Sequence, residues 1–284
     1  GRSCGSSPAE ASLLPSSVGA LVGARRGLAQ ADSTATRRFC GGHGGTASDG
    51  EPLSSLDSMP IIFRGEPADS DSSRGEGQGP TRVHRVLCYG DSLTAGYCEA
   101  GGRFEPYGRT LAKALAAAGV ACEVSVCGHS GHTAARMLVD LDAESVTDAA
   151  SLSGKGLRRI LEEADTQPDL VLVMAGTNDL GEDKSPKEIC DDISRLHAVC
   201  HERGIPTMAL GLLHHPNQRI LKAARRLMLD SLLAGWALEV GRALVSFVDT
   251  SDLVPLGIAD GKDGIWDLDG LHLAPRGSIL LGRR

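Results

Sequence analysis

Four stretches of the chain carry groups suited to acyl transfer. Gly90-Asp91-Ser92-Leu93 offers a hydroxyl, and Gly128-His129-Ser130-Gly131 offers an unobstructed backbone amide. Gly176-Thr177-Asn178-Asp179 offers a carboxamide, and Asp269-Gly270-Leu271-His272 an acid with an imidazole three residues on. A serine hydroxyl is a weak nucleophile until a neighbouring base takes its proton. Histidine suits that task because its pKa lies near working pH. A carboxylate on the second ring nitrogen holds the imidazole in the right tautomer and stabilises the cation formed during attack. The tetrahedral intermediate then needs donors aimed at its oxyanion, each worth roughly 3 kcal/mol. Gly128 can supply its N–H because no side chain blocks approach. Asn178 can supply its side-chain amide, and Ser92 its own N–H at a helix start.

These groups act together only if the fold gathers them. Residues 83–89 read as a buried strand, 106–118 as a helix closed by Gly119, and 120–127 as a second strand. Residues 169–175 (DLVLVMA) have no polar alternation, which predicts a central strand covered on both faces. Ser185, Pro186 and Glu188 supply an N-cap, a first-turn proline and a capping-box acid for a helix to about residue 203, closed by Gly204. Residues 205–213, 217–240 and 243–248 predict a strand, a long helix and a strand. This alternation predicts βαβ units, a five-stranded, mainly parallel sheet and helices on both faces. Ligands of such sheets bind beyond the carboxyl ends of the strands, where the first three stretches fall. Asp269 and His272 are close enough for one turn to present both, and Pro275 fixes that turn against a final helix.

GDSLTAGY at 90–97, the glycine at 128, GTND at 176–179 and DGLH at 269–272 resemble the four blocks of the GDSL, or SGNH, hydrolases, in order. The likeness runs from the first predicted strand to the end of the chain. It implies a flavodoxin-like three-layer α/β/α fold with strand order 2-1-3-4-5. It implies hydrolysis of a small-molecule carboxylic ester or thioester, with no metal or organic cofactor. Carried over residue by residue, Ser92 is the nucleophile, His272 the base and then the acid, and Asp269 the orienting carboxylate. Gly128, Asn178 and the Ser92 amide form the oxyanion hole. Members of the family continue the last helix further than Arg284, so the resemblance also implies a shortened C-terminus.

The same residues admit plainer readings. Asp91 ties its loop by hydrogen bonds, and Asp179 is a turn residue or a group that supports the site from behind. Gly128-His129-Ser130-Gly131 approaches the GxSxG elbow of an α/β-hydrolase, but the final glycine is His132 here, so Ser130 is a poor nucleophile candidate. His197, Cys200 and His201 have the helical spacing of metal ligands without an evident fourth partner, so no metal is expected. An acyltransferase would use the same residues with a hydroxyl compound in place of water. A non-catalytic binding domain would be expected to lack one of them.

The chain has 284 residues, 41 % hydrophobic, with a net charge of −7. An acidic balance argues against nucleic acid as a partner, and no apolar run is long enough for a transmembrane helix. Residues 1–82 are rich in Gly, Ser, Ala and Arg, which predicts a disordered tail before a domain at 83–284. Within it, residues 1–48 have the arginine- and serine-rich, acid-poor bias of an organelle transit peptide or a plain extension. The eight cysteines show no CxxC spacing. They read as reduced thiols of an intracellular protein, cytoplasmic or organellar.

Overall fold

The computed structural model describes residues 37–39, 58–67 and 82–284 apart from 258, 260, 262 and 263. The chain begins with β1 (Arg37–Phe39), β2 (Ile61–Gly65) and β3 (His84–Asp91). Then come the one-turn helix α1 (Ser92–Ala95), α2 (Tyr107–Ala117), β4 (Cys122–His129), α3 (Ala134–Val139) and α4 (Leu157–Glu163). β5 (Leu170–Met174), α5 (Thr177–Gly181), α6 (Pro186–His201) and β6 (Thr207–Leu210) follow. α7 (Ile220–Val240), β7 (Val245–Val248) and α8 (Pro275–Arg283) complete the order.

One sheet runs β1-β2-β4-β3-β5-β6-β7. Its five strands β3 to β7 are parallel and stand in the expected 2-1-3-4-5 order. β5, buried at every position, lies between β3 and β6, as its unbroken apolar run requires. α2 packs over β2 and β4 and against α8, while α6 packs with α3, α4 and α7. This is an α/β/α sandwich. The close approach of α2 and α8 depends on Gly282, where a Cβ would come within 2.2 Å of the Tyr107 carbonyl oxygen. The capping box of Ser185 and Glu188 forms as the spacing predicts, and Gly119 and Gly204 adopt the left-handed turns that end their helices.

Among the described residues the sheet has seven strands rather than five. Residues 61–65, read from composition as part of the tail, form β2, paired antiparallel with β4 through Ile61↔Val126 and Phe63↔Val124. Ile61 and Phe63 point inward and are buried, while Arg64 reaches Glu123 on the neighbouring strand at 3.0 Å. An alternation this short does not rise above its low-complexity surroundings. Residues 1–36, 40–57 and 68–81 lie outside the described residues, and with them the transit-like composition and most of the segment read as disordered. Cys88, Cys98, Cys122, Cys127, Cys190 and Cys200 are all buried free thiols. Among the described residues no helix is long and apolar enough to cross a membrane.

Candidate active site

β3 runs straight into α1, so the strand's last residue, Asp91, caps the helix that opens with Ser92. Asp91 Oδ1 accepts the Leu93 N–H at 3.0 Å. Gly96, at φ 76°, closes the turn by donating its N–H to the Ser92 carbonyl. A side chain at Gly96 would run into Glu105 and Pro106, so glycine is required on both counts. Asp91 is fully buried, and burial pushes its carboxyl up to about 6 against the lowering effect of the Leu93 N–H. Its place under the helix fits a structural role.

The turn before α8 brings the acid and the imidazole to Ser92. His272 Nε2 lies 2.9 Å from Ser92 Oγ, and Nδ1 lies 2.6 Å from Asp269 Oδ2. Asp269 Oδ1 also accepts the N–H groups of Leu271 and His272, at 2.8 and 2.9 Å. Burial pushes the Asp269 carboxyl up, but its bonds with the His272 ring and these two N–H groups outweigh that and hold it well below the usual carboxylate range. The loop after β6 supports the turn from outside. His215 Nδ1 lies 3.1 Å from the Gly270 carbonyl oxygen, and Asn217 Nδ2 donates to the Asp269 carbonyl at 3.1 Å.

Asn178 sits in the first turn of α5 and donates from Nδ2 to the His132 carbonyl at 2.8 Å. A carboxamide has two N–H donors, so this bond leaves the second available. Asp179 is fully buried and accepts from Ala134 N at 2.8 Å and Lys184 Nζ at 2.9 Å. It therefore ties α5 to the start of α3. The expectation for Gly128 is overturned. β4 extends through His129, so Gly128 is still within the sheet, and its N–H donates to Met59 Sδ at 3.2 Å. A Cβ at Gly128 would lie 2.3 Å from Ala95 N and 2.6 Å from the Asp91 carbonyl oxygen. That glycine makes room for α1 and has no N–H to spare. Gly131, further along the same loop, is exposed at φ 78°.

The other candidates separate cleanly. Ser130 is buried with no hydrogen-bond partner for its Oγ among the described residues, and its N–H is held by Asp148 at 2.7 Å. Burial, helped by the neighbouring His132, pushes the His129 imidazole down to about 4, and its Nε2 lies 3.1 Å from the Lys155 carbonyl oxygen. Ser130 and His129 are not paired with each other; His129 Nε2 also lies 3.6 Å from the buried Cys127 Sγ. His197 and His201 both bond Thr207 Oγ1, at 2.7 and 2.9 Å, and pack on Trp236. They anchor the start of β6. Among the described residues no group of three His, Cys, Asp or Glu is arranged to hold a metal.

A model of the GDSL-like lipase/acylhydrolase family matches residues 88–278, which span α1, α5 and the acid–imidazole turn. The chain belongs to the GDSL-like lipase/acylhydrolase family. It is a hydrolase that acts on ester bonds. No curated protein sequence is similar enough to count as a match. Among solved structures, this GDSL-like hydrolase resembles a family 3 carbohydrate esterase of Clostridium thermocellum, with TM-score 0.51 and 19 % identity over 71 % of this chain and 92 % of that one. It also resembles TesA, with TM-score 0.50 and 20 % identity over 70 % and 95 % of the two chains. AlinE4, an SGNH-hydrolase family esterase, is 26 % identical over 59 % and 77 %, with TM-score 0.45. The first two likenesses are ones of fold.

Two neighbours of the hydrolase's site were not singled out from the sequence. Tyr97 ends the GDSLTAGY stretch and places its ring 4.7 Å from that of His272. Asp267 is buried two residues before Asp269. Tyr97 was within reach of sequence reading, because it belongs to the motif itself.

Proposed function

We propose that the protein cleaves carboxylic esters through an acyl-enzyme on Ser92. One observation carries this reading: the unbroken line of hydrogen-bonding atoms from Ser92 Oγ through both nitrogens of His272 to Asp269, at 2.9 and 2.6 Å. In the first step His272 Nε2 takes the Ser92 proton as Oγ attacks the ester carbonyl. Asp269 keeps the second ring proton on Nδ1 and stabilises the imidazolium. The same proton then passes from Nε2 to the departing alkoxide, which leaves as the alcohol. In the second half His272 takes a proton from a water that attacks the acyl carbonyl and returns it to Ser92 Oγ as the Oγ–acyl bond breaks and the acid leaves.

The oxyanion needs donors that are already in place. Ser92 opens α1, so its N–H is among those a helix start leaves without an intrahelical partner. Asn178 contributes its second amide hydrogen, its orientation fixed by the bond to His132. We assign the third donor to Gly131 in place of Gly128. Its N–H has no hydrogen-bond partner among the described residues, and it directly precedes the His132 whose carbonyl Asn178 holds.

Aromatic residues make up 3 % of the chain, which gives little basis for a stacking platform under a sugar. Simple acyl esters are therefore the substrates to try first. The test is hydrolysis of p-nitrophenyl esters from acetate to long chains, with a fluorophosphonate probe as a label for the serine. Wild type should turn over and be labelled, and Ser92→Ala should do neither while keeping its fold. Asn178→Ala should lose about 10²–10³ in kcat with little change in KM. Near-wild-type hydrolysis by Ser92→Ala would end this reading.

A further inference from the structure

The residues that face Ser92 and those that face His272 lie far apart in sequence, so something must hold the two halves of the site in register. After α1, a small hairpin pairs Tyr97 with Phe104 and Cys98 with Arg103. Its turn is unusual, because Glu99 and Ala100 both take positive φ, 51° and 52°. Residues other than glycine keep such a backbone only where their surroundings over-determine it. The determining group comes from the other end of the chain: Asp267 Oδ2 accepts the Glu99 N–H at 2.6 Å.

Asp267 is 6 % exposed, and each of its carboxylate oxygens accepts a hydrogen bond. Its Oδ1 accepts the Leu268 N–H at 2.7 Å, and its own N–H donates to the His272 carbonyl at 2.9 Å. Its carbonyl accepts the Gly270 N–H at 2.9 Å. One residue thus grips the acid–imidazole turn with its backbone and the hairpin with its side chain. The hairpin in turn carries Tyr97, whose ring lies 4.7 Å from that of His272 at 48°. Gly101, at φ 84°, closes over the same ring, and a Cβ there would come within 3.0 Å of Tyr97 Cε2. The ring of Tyr97 therefore has little freedom to move away from the imidazole.

We propose that Asp267 is a positioning residue for His272: by pinning the 97–104 hairpin it braces Tyr97 against the imidazole and keeps Nε2 aimed at Ser92. This rests on the reading of His272 as the base. The hydrogen bonds of His272 to Ser92 and Asp269 restrain the ring within its plane, and Tyr97 restrains its tilt. Loss of either Asp267 or Tyr97 releases the same motion.

The experiment is a double-mutant cycle on kcat and KM for p-nitrophenyl acetate, with thermal unfolding of every variant. Asp267→Asn keeps only one of its two side-chain acceptors and should lose about tenfold in kcat with KM within twofold, the signature of misplaced rather than absent machinery. Asp267→Ala should lose more. Tyr97→Leu should lose a similar factor, and Asp267→Asn/Tyr97→Leu should be no worse than the poorer single variant, because both act through one contact. A kcat for Asp267→Asn within twofold of wild type, or losses that multiply in the double variant, would overturn the proposal. If the Asp267 variants do not fold, Tyr97→Leu decides alone, since it leaves the hydrogen bonds of Asp267 intact, and an unchanged kcat there is equally fatal. A wild-type protein that neither turns over the ester nor accepts the fluorophosphonate label would instead defeat the serine-hydrolase reading, and this proposal with it.

Discussion

Asp269 meets His272 Nδ1 at 2.6 Å from a side chain that is still 44 % exposed, whereas His272 itself is mostly enclosed. The acid thus sits at the lip of the site and contributes little to the core. Asp269→Asn keeps the shape but offers an amide N–H or a neutral oxygen to the ring, which destroys control of the tautomer. The expected result is a fall of about 10⁴ in kcat with a melting temperature within about 2 °C of wild type. Parallel kinetics and calorimetry check it, and a large loss of stability would show that the acid is structural.

Asp91 makes the opposite contribution to stability. Burial holds its carboxyl up at about 6 in the folded protein, above the roughly 3.9 of an unfolded chain. A raised folded pKa means that the folded state holds the proton more tightly. The resulting stabilisation is full below pH 4 or so and is lost as the pH rises through about 6, a change on the order of 3 kcal/mol. Asn at this position can still cap α1 and does not titrate. Unfolding free energies measured across this range should therefore fall less steeply with pH in Asp91→Asn than in wild type. Equal slopes would refute the assignment.

Arg226 and Asp230 form an ion pair at 2.6 Å with both side chains buried. Arg226 Nη1 also donates to the Leu212 carbonyl at 3.2 Å, and Asp230 Oδ1 accepts the Leu212 N–H at 3.1 Å. Leu212 opens the loop that carries His215 and Asn217 to the back of the Asp269 turn. Arg226→Met leaves a buried carboxylate without its partner and should cost about 3–5 kcal/mol in urea unfolding. Replacing both partners, as Arg226→Met/Asp230→Leu, should recover part of that. A single variant that loses under about 1 kcal/mol would contradict the pairing.

Gly128→Ala tests the reassignment within the β4 loop. The new methyl would press on the backbone of Ala95 and Asp91, which cannot yield as a flexible side chain would. The expected outcome is a loss of about 2 kcal/mol or more in stability, accompanied by weaker turnover as α1 shifts. Gly131→Ala meets a methyl group of Ala149 instead, at 2.9 Å, and strains a left-handed backbone. It should lower kcat more than it lowers stability. Similar behaviour of the two variants would remove the distinction.

Much of this arrangement was legible in the sequence. The five apolar residues of β5 and the capping box of α6 are local signals, and each produced its element. Ser92, Asn178, Asp269 and His272 stand out because motif chemistry ties residue type to spacing. Gly128 was misread because the apolar run stops at 127, while the strand continues two residues further, to His129. One extra pair of residues in the sheet turns an open amide into a packed one. Asp267 gave no sign at all, since its partner Glu99 is 168 positions away and no local period records such a bond.

The composition boundary near residue 82 invites removal of everything before it. Yet β2 occupies the flank of β4, and Met59, just before β2, reaches the Gly128 amide beneath α1. A fragment that began at Val83 would bare the backbone of β4 along that flank, an adhesive surface for other chains. It would also leave the floor under Ser92 without its thioether. The packed sheet therefore reaches back past Met59, and not only to where the sequence changes character.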